Sequence, residues 1–384
     1  MNSRLRLLAI CNYPSETRPA HQVFVRALLV EMAGIGADVT VVAPESLWNL
    51  AKGRTGFRLA PAADEVDGLS VQRPRYLTYS NVALPLGGTT SRWSTTSYVK
   101  AVLHRVRRLT GSFDLCFGHF LYPQGLAAAK VGSALGIPYV VSLGESSFDR
   151  YEGAYSRREI SGLLDQANGV VANSTLIKDH CVQRYGLAER KTRVFPNGVD
   201  ERLFTFRDRK SCRQKCGLPL DRPIIVFAGQ FIERKGPLRV LEAIKSRPEI
   251  GVVFLGYGPQ VPQGPQVLFR GEVPHDEVPT WLSAADAFAL PTLNEGCSNA
   301  ILEALGCGLP IISSDLPFNH GILDEQVAVL VNPRDVGALE LAIAALIDSP
   351  ERRAAMSEAA VRRASSFRLG ERAKNVLAFL KELC

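Results

Sequence analysis

The chain runs twice through one pattern: an apolar run of five to seven residues, then a stretch with helical spacing. In the first half the runs are LRLLAI (5–10), DVTVVAP (38–44), FDLCF (113–117), IPYVVSL (137–143), GVVAN (169–173) and TRVFP (192–196). Val23, Ala27 and Val30 recur at i, i+4 and i+7 after the first run, and helices are expected over 124–135 and 174–184. In the second half the runs are PIIVFAG (223–229), GVVFLG (251–256), VLFRG (267–271), AFALP (287–291), PIISS (310–314) and VAVLV (327–331). Helices are expected there over 235–245, 275–284, 298–306, 335–348, 350–365 and 370–383. Strands apolar on both faces and separated by helices form parallel sheets covered by helices. The stretch 45–91, rich in Gly, Pro, Ser and Thr, shows no assignable pattern. The polar segment PNGVDERLFTFRDRKSCRQKCGLP (196–219) has little periodicity and reads as a linker.

The expected fold is therefore α/β, with two Rossmann-like doubly wound domains facing a central cleft. The expected bounds are 1–204, 205–365 and a C-terminal helix, 366–384, that crosses back to the first domain. A length of 384 residues suits two domains. With 46% hydrophobic and 22% charged residues, the chain is neither disordered nor fibrous. Its eight cysteines form no CxxC and have no histidine cluster beside them, which argues for reduced thiols rather than zinc or a disulfide scaffold. The start, MNSRLRLLAIC, is too short in apolar residues for a secretory signal, and no apolar run reaches the roughly 20 residues that span a bilayer. The expected location is cytoplasmic, peripheral on the inner face of the membrane.

Ligands of doubly wound sheets bind at the loops that follow the strands. Two such junctions carry chemistry. In GQFIERKG (229–236), Gly229 permits close backbone approach, and Arg234 and Lys235 stand before a helix whose free N–H groups favour anions, which suits a diphosphate. In NEGCSNAILEALGCGLPIISS (294–314), Glu295 precedes a tight turn, Gly296–Asn299, that opens a helix, and Glu303 lies on that helix. A carboxylate accepts two hydrogen bonds from a vicinal diol, so Glu303 suits a ribose and Glu295 a sugar. Taken singly, each has a plainer reading: a solvated basic turn for the cations, a solvated helix residue for Glu303, a charge favoured by the helix dipole for Glu295.

Together the two motifs resemble the retaining glycosyltransferase family 4, of GT-B fold. Its E-x7-E element corresponds to Glu295–Glu303, and its G-x4-[RK]-K-G element to GQFIERKG. PNGVD (196–200), VVANS (170–174) and LFRGEVPHDEVPTWLSAADAFALPTLNEG (268–296) are similar to other family landmarks. The resemblance implies that Arg234 and Lys235 bind the donor diphosphate, that Glu303 holds the ribose, and that Glu295, Gly296, Cys297, Ser298 and Asn299 hold the sugar and distal phosphate. Gly229 and the backbone at Glu272 and Val273 would line the nucleotide. His119, in CFGHFLYPQG (116–125), matches the histidine of the family's first lobe and would face the reacting sugar. The implied catalytic set is His119, Glu295, Arg234 and Lys235. No DxD-type element is present, so neither a metal nor another cofactor is expected, and cations with a helix terminus would stabilise the leaving diphosphate.

The chain departs from the pattern in places. NYPSETRPAHQVF (12–24) replaces a Gly-Gly loop, which resembles the subgroup that builds polysaccharides. EGCS stands for E-x-F-G, and SLGESS (142–147) for T-L-H-G, with Glu145 near the acceptor side.

Residues 1–204 hold 24 Lys and Arg against 17 Asp and Glu, and residues 205–384 hold 21 against 21, so the net +7 lies in the first half. Within it, the stretch 93–111 sets Val99, Val102, Leu103, Val106 and Leu109 opposite Lys100, His104, Arg107 and Arg108. Such a helix either packs its stripe on a sheet or lies on an anionic membrane. The expected partners are a nucleotide-sugar donor, UDP- or GDP-linked, a saccharide or lipid-linked saccharide acceptor and an anionic membrane surface. The alternatives are a nucleotide-sugar epimerase of the same fold and, in a different class, a nucleic-acid-binding protein using the basic lobe. No helix-turn-helix, RNP or finger pattern supports the latter, and nucleic acid is not an expected partner.

Overall fold

The computed structural model describes residues 4–15, 22–47, 62–79 and 89–384. It divides the chain into two compact units, residues 1–196 with 370–384, and residues 197–369.

The first unit is built on β1 (Arg6–Ile10), α1 (Val23–Gly34), β2 (Asp38–Val42), β3 (Glu45–Ser46), β4 (Ala63–Val66), β5 (Leu69–Gln72), β6 (Arg75–Tyr76), α2 (Ser91–Val106), β7 (Leu115–His119), α3 (Leu126–Leu135), β8 (Tyr139–Leu143), α4 (Arg157–Gln166), β9 (Gly169–Ala172), α5 (Thr175–Tyr185) and β10 (Thr192–Val194). Its sheet has the order β10-β9-β8-β7-β1-β2-β5-β4. All pairings are parallel except that of β4 with β5.

The second unit holds α6 (Arg209–Cys216), β11 (Ile224–Ala228), α7 (Pro237–Ala243), β12 (Gly251–Leu255), β13 (Val267–Gly271), α8 (Val278–Ser283), β14 (Ala287–Leu290), α9 (Asn299–Gly306), β15 (Ile311–Ser314), β16 (Ala328–Val331), α10 (Val336–Ile347) and α11 (Pro350–Ala364). Its sheet is wholly parallel, in the order β13-β12-β11-β14-β15-β16. Ile224, Val226, Phe254, Phe288 and Ile311 are buried at its centre, as apolar strands covered on both faces must be. α12 (Leu369–Lys381) ends the chain; from Gly370 it belongs to the first unit, where Phe379 packs against Phe195 and Gly169.

Four sequence readings need correction. The buried face of α1 is Val25, Leu28, Leu29 and Met32, not the row Val23, Ala27 and Val30, so the periodicity was right and the phase was not. The linker segment contains α6. Asp208 Oδ1 caps it by accepting from Ser211 N at 2.8 Å, and Gly217, at φ 65°, ends it. Arg213, 5% exposed, anchors α6 to the second unit through Asp286 Oδ2 at 2.7 Å and the Ala284 carbonyl at 2.9 Å. The division between units accordingly falls after Pro196, not after residue 204, and the return falls after Leu369. Finally, α2 buries Thr95, Tyr98, Val99, Val102 and Val106 in the first unit's core. Its apolar stripe is therefore covered by protein and is not a membrane-facing surface. Among the described residues no helix is long and apolar enough to cross a membrane.

Among the elements missed, three had a signal in the sequence. α4 opens with a Ser156–Glu159 capping box before Ile160, Leu163 and Leu164. β4 and β5 join through Asp67-Gly68, both at positive φ (55° and 75°), the two-residue hairpin turn. Within the altered first loop, 12–24, residues 16–21 lie outside the described residues.

Candidate functional site

In the second sheet, strand order reverses between β11 and β14, which neighbour each other although two strands separate them in the chain. Loops leaving adjacent strands to opposite faces open a crevice at such a point. Gly229 follows β11, and the segment Pro291–Glu295 follows β14. The neighbouring turn after β12 packs so closely that a Cβ on Gly256 would lie 2.0 Å from the Gly229 carbonyl oxygen, so no side chain fits there. Gly229 itself has φ 154°.

Arg234 and Lys235 converge on this edge. Arg234 Nη1 donates to the Asn294 carbonyl at 2.6 Å and to Glu295 Oε1 at 3.1 Å. The Lys235 ammonium donates to the same carboxylate oxygen, and Thr292 Oγ1 donates to it at 3.0 Å. The Glu295 side chain is 10% exposed and that of Lys235 14%. One carboxylate thus holds the two cations side by side. The helix expected at 235 begins only at Pro237, whose ring lacks an N–H. The positive charge at this edge comes from the two side chains, not from that helix terminus.

A helix terminus is present on the other side. Ser298 is the N-cap of α9 and makes no side-chain cap bond, so the first N–H groups of α9 have no side-chain acceptor from it. Asn299 Oδ1 is buried without a hydrogen-bond partner among the described residues. Glu303, on α9, faces His275 Nε2 at 3.5 Å, and the ring of Phe204 meets His275 edge-on at 5.4 Å between centroids. Glu272 is exposed and Val273 half-buried where the chain leaves β13, the strand beside β12. The second unit therefore brings Arg234, Lys235 and Glu295 into direct contact and seats Glu303 on the helix whose first turn follows them. Thr292 and His275 were missed in the sequence. Thr292 reads as strand end, whereas His275 stands in VPHDEV, where a junction after a strand could have flagged it.

In the first unit the reversal falls between β1 and β7, and His119 ends β7. Its ring is 3% exposed, surrounded by Phe24, Phe117 and Phe120, and neither ring nitrogen has a partner among the described residues. Burial, with Arg372 adding to it, pulls its pKa down to about 3. The imidazole is therefore neutral at working pH and offers one donor and one acceptor, not a charge. Phe120, next in the chain, sits at φ 79°, a strained conformation for a non-glycine residue. Glu145 holds this turn, accepting from Leu121 N at 2.7 Å and Gly144 N at 2.8 Å, and burial raises its carboxyl pKa. It is a buried clamp on the His119 turn. Among the described residues no group of three or more His, Cys, Asp or Glu is placed to hold a metal ion.

Residues 21–203 match the Glycosyltransferase Family 4 pattern and residues 208–363 match Glycosyl transferases group 1. The chain is 28% identical over 347 residues to the "putative teichuronic acid biosynthesis glycosyltransferase TuaC" of Bacillus subtilis, covering 86% of each. Its fold is similar to that of sucrose-phosphate synthase from Thermosynechococcus elongatus, with a TM-score of 0.78 at 18% identity over 99% of both chains. It is also similar to Anabaena HepE, solved with UDP-glucose, with a TM-score of 0.75 at 17% identity over 99% of this chain and 100% of that one. At these identities the likeness is one of fold, and that fold is GT-B.

Proposed function

Because the chain belongs to the family 4 and group 1 glycosyltransferases, and is itself a glycosyltransferase, we propose that it moves a sugar from a nucleotide diphosphate sugar, with retention, to a saccharide or lipid-linked saccharide in cell-surface polysaccharide or glycolipid synthesis. The observation that carries the reading is the meeting of Arg234, Lys235 and Glu295 beside the uncapped start of α9. Two cations and a helix terminus complement a diphosphate, and they do so most strongly when charge develops on it as the glycosidic bond breaks. Glu303, backed by His275, receives the ribose hydroxyls, and Glu295 turns toward the sugar once the diphosphate takes its cations. His119, neutral and without a partner among the described residues, hydrogen-bonds a sugar hydroxyl without acting as an acid. The proton of the acceptor hydroxyl passes to an oxygen of the leaving phosphate.

Support for the substrates comes from two sides. HepE was solved with UDP-glucose, which favours a UDP-linked donor, and TuaC is named for the biosynthesis of teichuronic acid, by its name an acid. The first unit holds 26 Lys and Arg against 17 Asp and Glu, the second 19 against 21. This excess of +9 against −2 suits an acceptor that carries negative charge. The purified protein is to be incubated with UDP-, GDP- and ADP-sugars and the nucleotide released measured, with the anomeric configuration of any product read by NMR. Slow release of one nucleoside diphosphate is expected without acceptor, and an axial-to-axial outcome with one. Release from none of the panel, or an inverted product, overturns the reading.

A further inference from the structure

The segment PNGVD contains a side chain that the proposed reaction leaves unused. Asn197 is 5% exposed, and both it and Cys297 belong to the second unit. Asn197 Nδ2 donates to the Cys297 carbonyl at 2.9 Å, and Asn197 N donates to Cys297 Sγ at 3.3 Å. Cys297 is 7% exposed and lies between Glu295 and the N-cap Ser298. The two bonds therefore grip the turn whose flanks carry the carboxylate and the free helix N–H groups.

The segment that grips is itself fixed. Val199 N donates to the Phe367 carbonyl at 2.8 Å, and Leu369 N donates to the Val199 carbonyl at 2.9 Å. Val199 bridges Arg368, and a Cβ on Gly198 would lie 2.7 Å from Leu369 Cα. Val199 also packs in the second unit's core. Asn197 is thus a rigid arm, not a loop that follows the turn. A Phe at this place, as in the E-x-F-G pattern, would offer no acceptor to the Asn197 N–H.

We propose that Asn197 is a positioning residue for the donor site, holding the turn Gly296–Asn299 in the shape that receives a nucleoside diphosphate. The assignment rests on the reading of Arg234, Lys235 and this turn as the diphosphate site. Without the amide, a buried carbonyl loses its donor and the turn relaxes; small displacements of a preorganised site lower affinity steeply.

The test measures UDP binding by calorimetry for the wild type, Asn197→Ala, Cys297→Ala and Lys235→Ala, with amide exchange of each ligand-free protein. Asn197→Ala should weaken UDP binding about tenfold, the value of one hydrogen bond to a buried group. It should also speed exchange in the 294–301 peptide while peptides of β11 and β12 keep their protection. Cys297→Ala keeps the Nδ2 bond and loses only the weaker one to sulfur, so about a threefold loss is expected. Faster exchange throughout the second unit would make Asn197 a merely structural residue and overturn the assignment, as would UDP affinity within twofold of wild type. If Asn197→Ala does not fold, Asn197→Ser, whose hydroxyl is too short to reach the carbonyl, is judged by the same readouts. Should Lys235→Ala weaken UDP while Asn197→Ala does not, only this assignment fails; should neither weaken it, the donor-site reading fails.

Discussion

Replacing Lys235 with alanine should slow sugar transfer about 100-fold and leave the protein folded. The two halves of that statement come from different states of the site. In the ligand-free protein the ammonium bonds Glu295, whose carboxylate keeps Arg234 Nη1 at 3.1 Å and Thr292 Oγ1 at 3.0 Å after truncation. Glu295 is then not an orphaned buried charge, so the loss falls nearer the about 1 kcal/mol of a partly exposed pair than the roughly 3–5 kcal/mol of a broken buried one. That corresponds to a drop in Tm of about 2–4 °C. In the transition state no neighbour compensates. The leaving diphosphate gains charge, and losing one charge-assisted donor to it costs about 3 kcal/mol. Glu295, relieved of one of its two cations, also repels the donor, so the donor KM should rise while kcat falls. The assay is nucleotide release at saturating donor, with thermal unfolding in parallel. Lys235→Arg keeps the charge and should recover at least about tenfold of the loss. Turnover within threefold of wild type, in a folded protein, would refute the diphosphate clamp.

Activity should survive excess EDTA, because the positive charge at the site comes from side chains; loss on chelation with recovery on adding Mg²⁺ or Mn²⁺ would show that a cation carries it instead. Glu303→Ala should erase most of the preference for UDP over 2′,3′-dideoxy-UDP, and His275→Ala part of it, as read by calorimetry; an equal loss for both nucleotides would remove the ribose from the role of Glu303. His119 titrates near 3 when folded against about 6.5 when unfolded, so the unfolded chain binds the extra proton and stability falls as pH drops below 6.5. Between pH 7.5 and pH 5 this group should cost about 2 kcal/mol, a loss absent from His119→Phe; denaturant unfolding at the two pH values checks it, and equal losses in both proteins would sink it.

The alternation of strands and helices was legible because apolar runs and helical spacing record burial directly. Every apolar run named in the sequence became a strand; most are trimmed at their ends, VLFRG is kept whole, and FDLCF is shifted to Leu115–His119. What the sequence hid was where tertiary contacts overrode local polarity. α6 is rich in Arg and Lys and reads as linker, yet Arg213 is buried because Asp286 and four carbonyls await it. In α1, apolar residues occupy more than one face, so periodicity gave the helix and left its phase open. At the site, the E-x7-E spacing located both carboxylates, but spacing cannot say that Glu295 already sits on Arg234 and Lys235. Nor could it find Asn197, one hundred residues from the carbonyl it bonds. Long-range contacts of this kind leave no local trace.

Helix α2 shows how one such ambiguity resolves, and the resolution bears on the partner. An apolar stripe at helical spacing records that water is excluded, not by what. Val99, Val102 and Val106 are buried, Leu103 and Leu109 pack half-buried beside them, and Tyr98 meets Tyr76 edge-on at 5.2 Å. The protein covers that face; opposite it Lys100, His104, Arg107 and Arg108 remain exposed, as do Arg92, Trp93 and Thr96 at the N-terminal end of the helix. Attraction by charge alone acts within about 8 Å at physiological salt and has no apolar anchor to persist at higher salt. Changing Lys100, Arg107 and Arg108 to Glu should therefore abolish sedimentation with anionic vesicles, as should 0.5 M salt (roughly half the Debye length), while UDP binding is unchanged. Vesicle binding that survives both would require an apolar contact elsewhere. An anionic acceptor draws on the same +9 excess but saturates at one site, so a soluble phosphorylated saccharide should compete with it and leave vesicle binding intact. With the stripe of α2 committed to the core, the basic charge of the first unit is better matched to such an acceptor than to a bilayer.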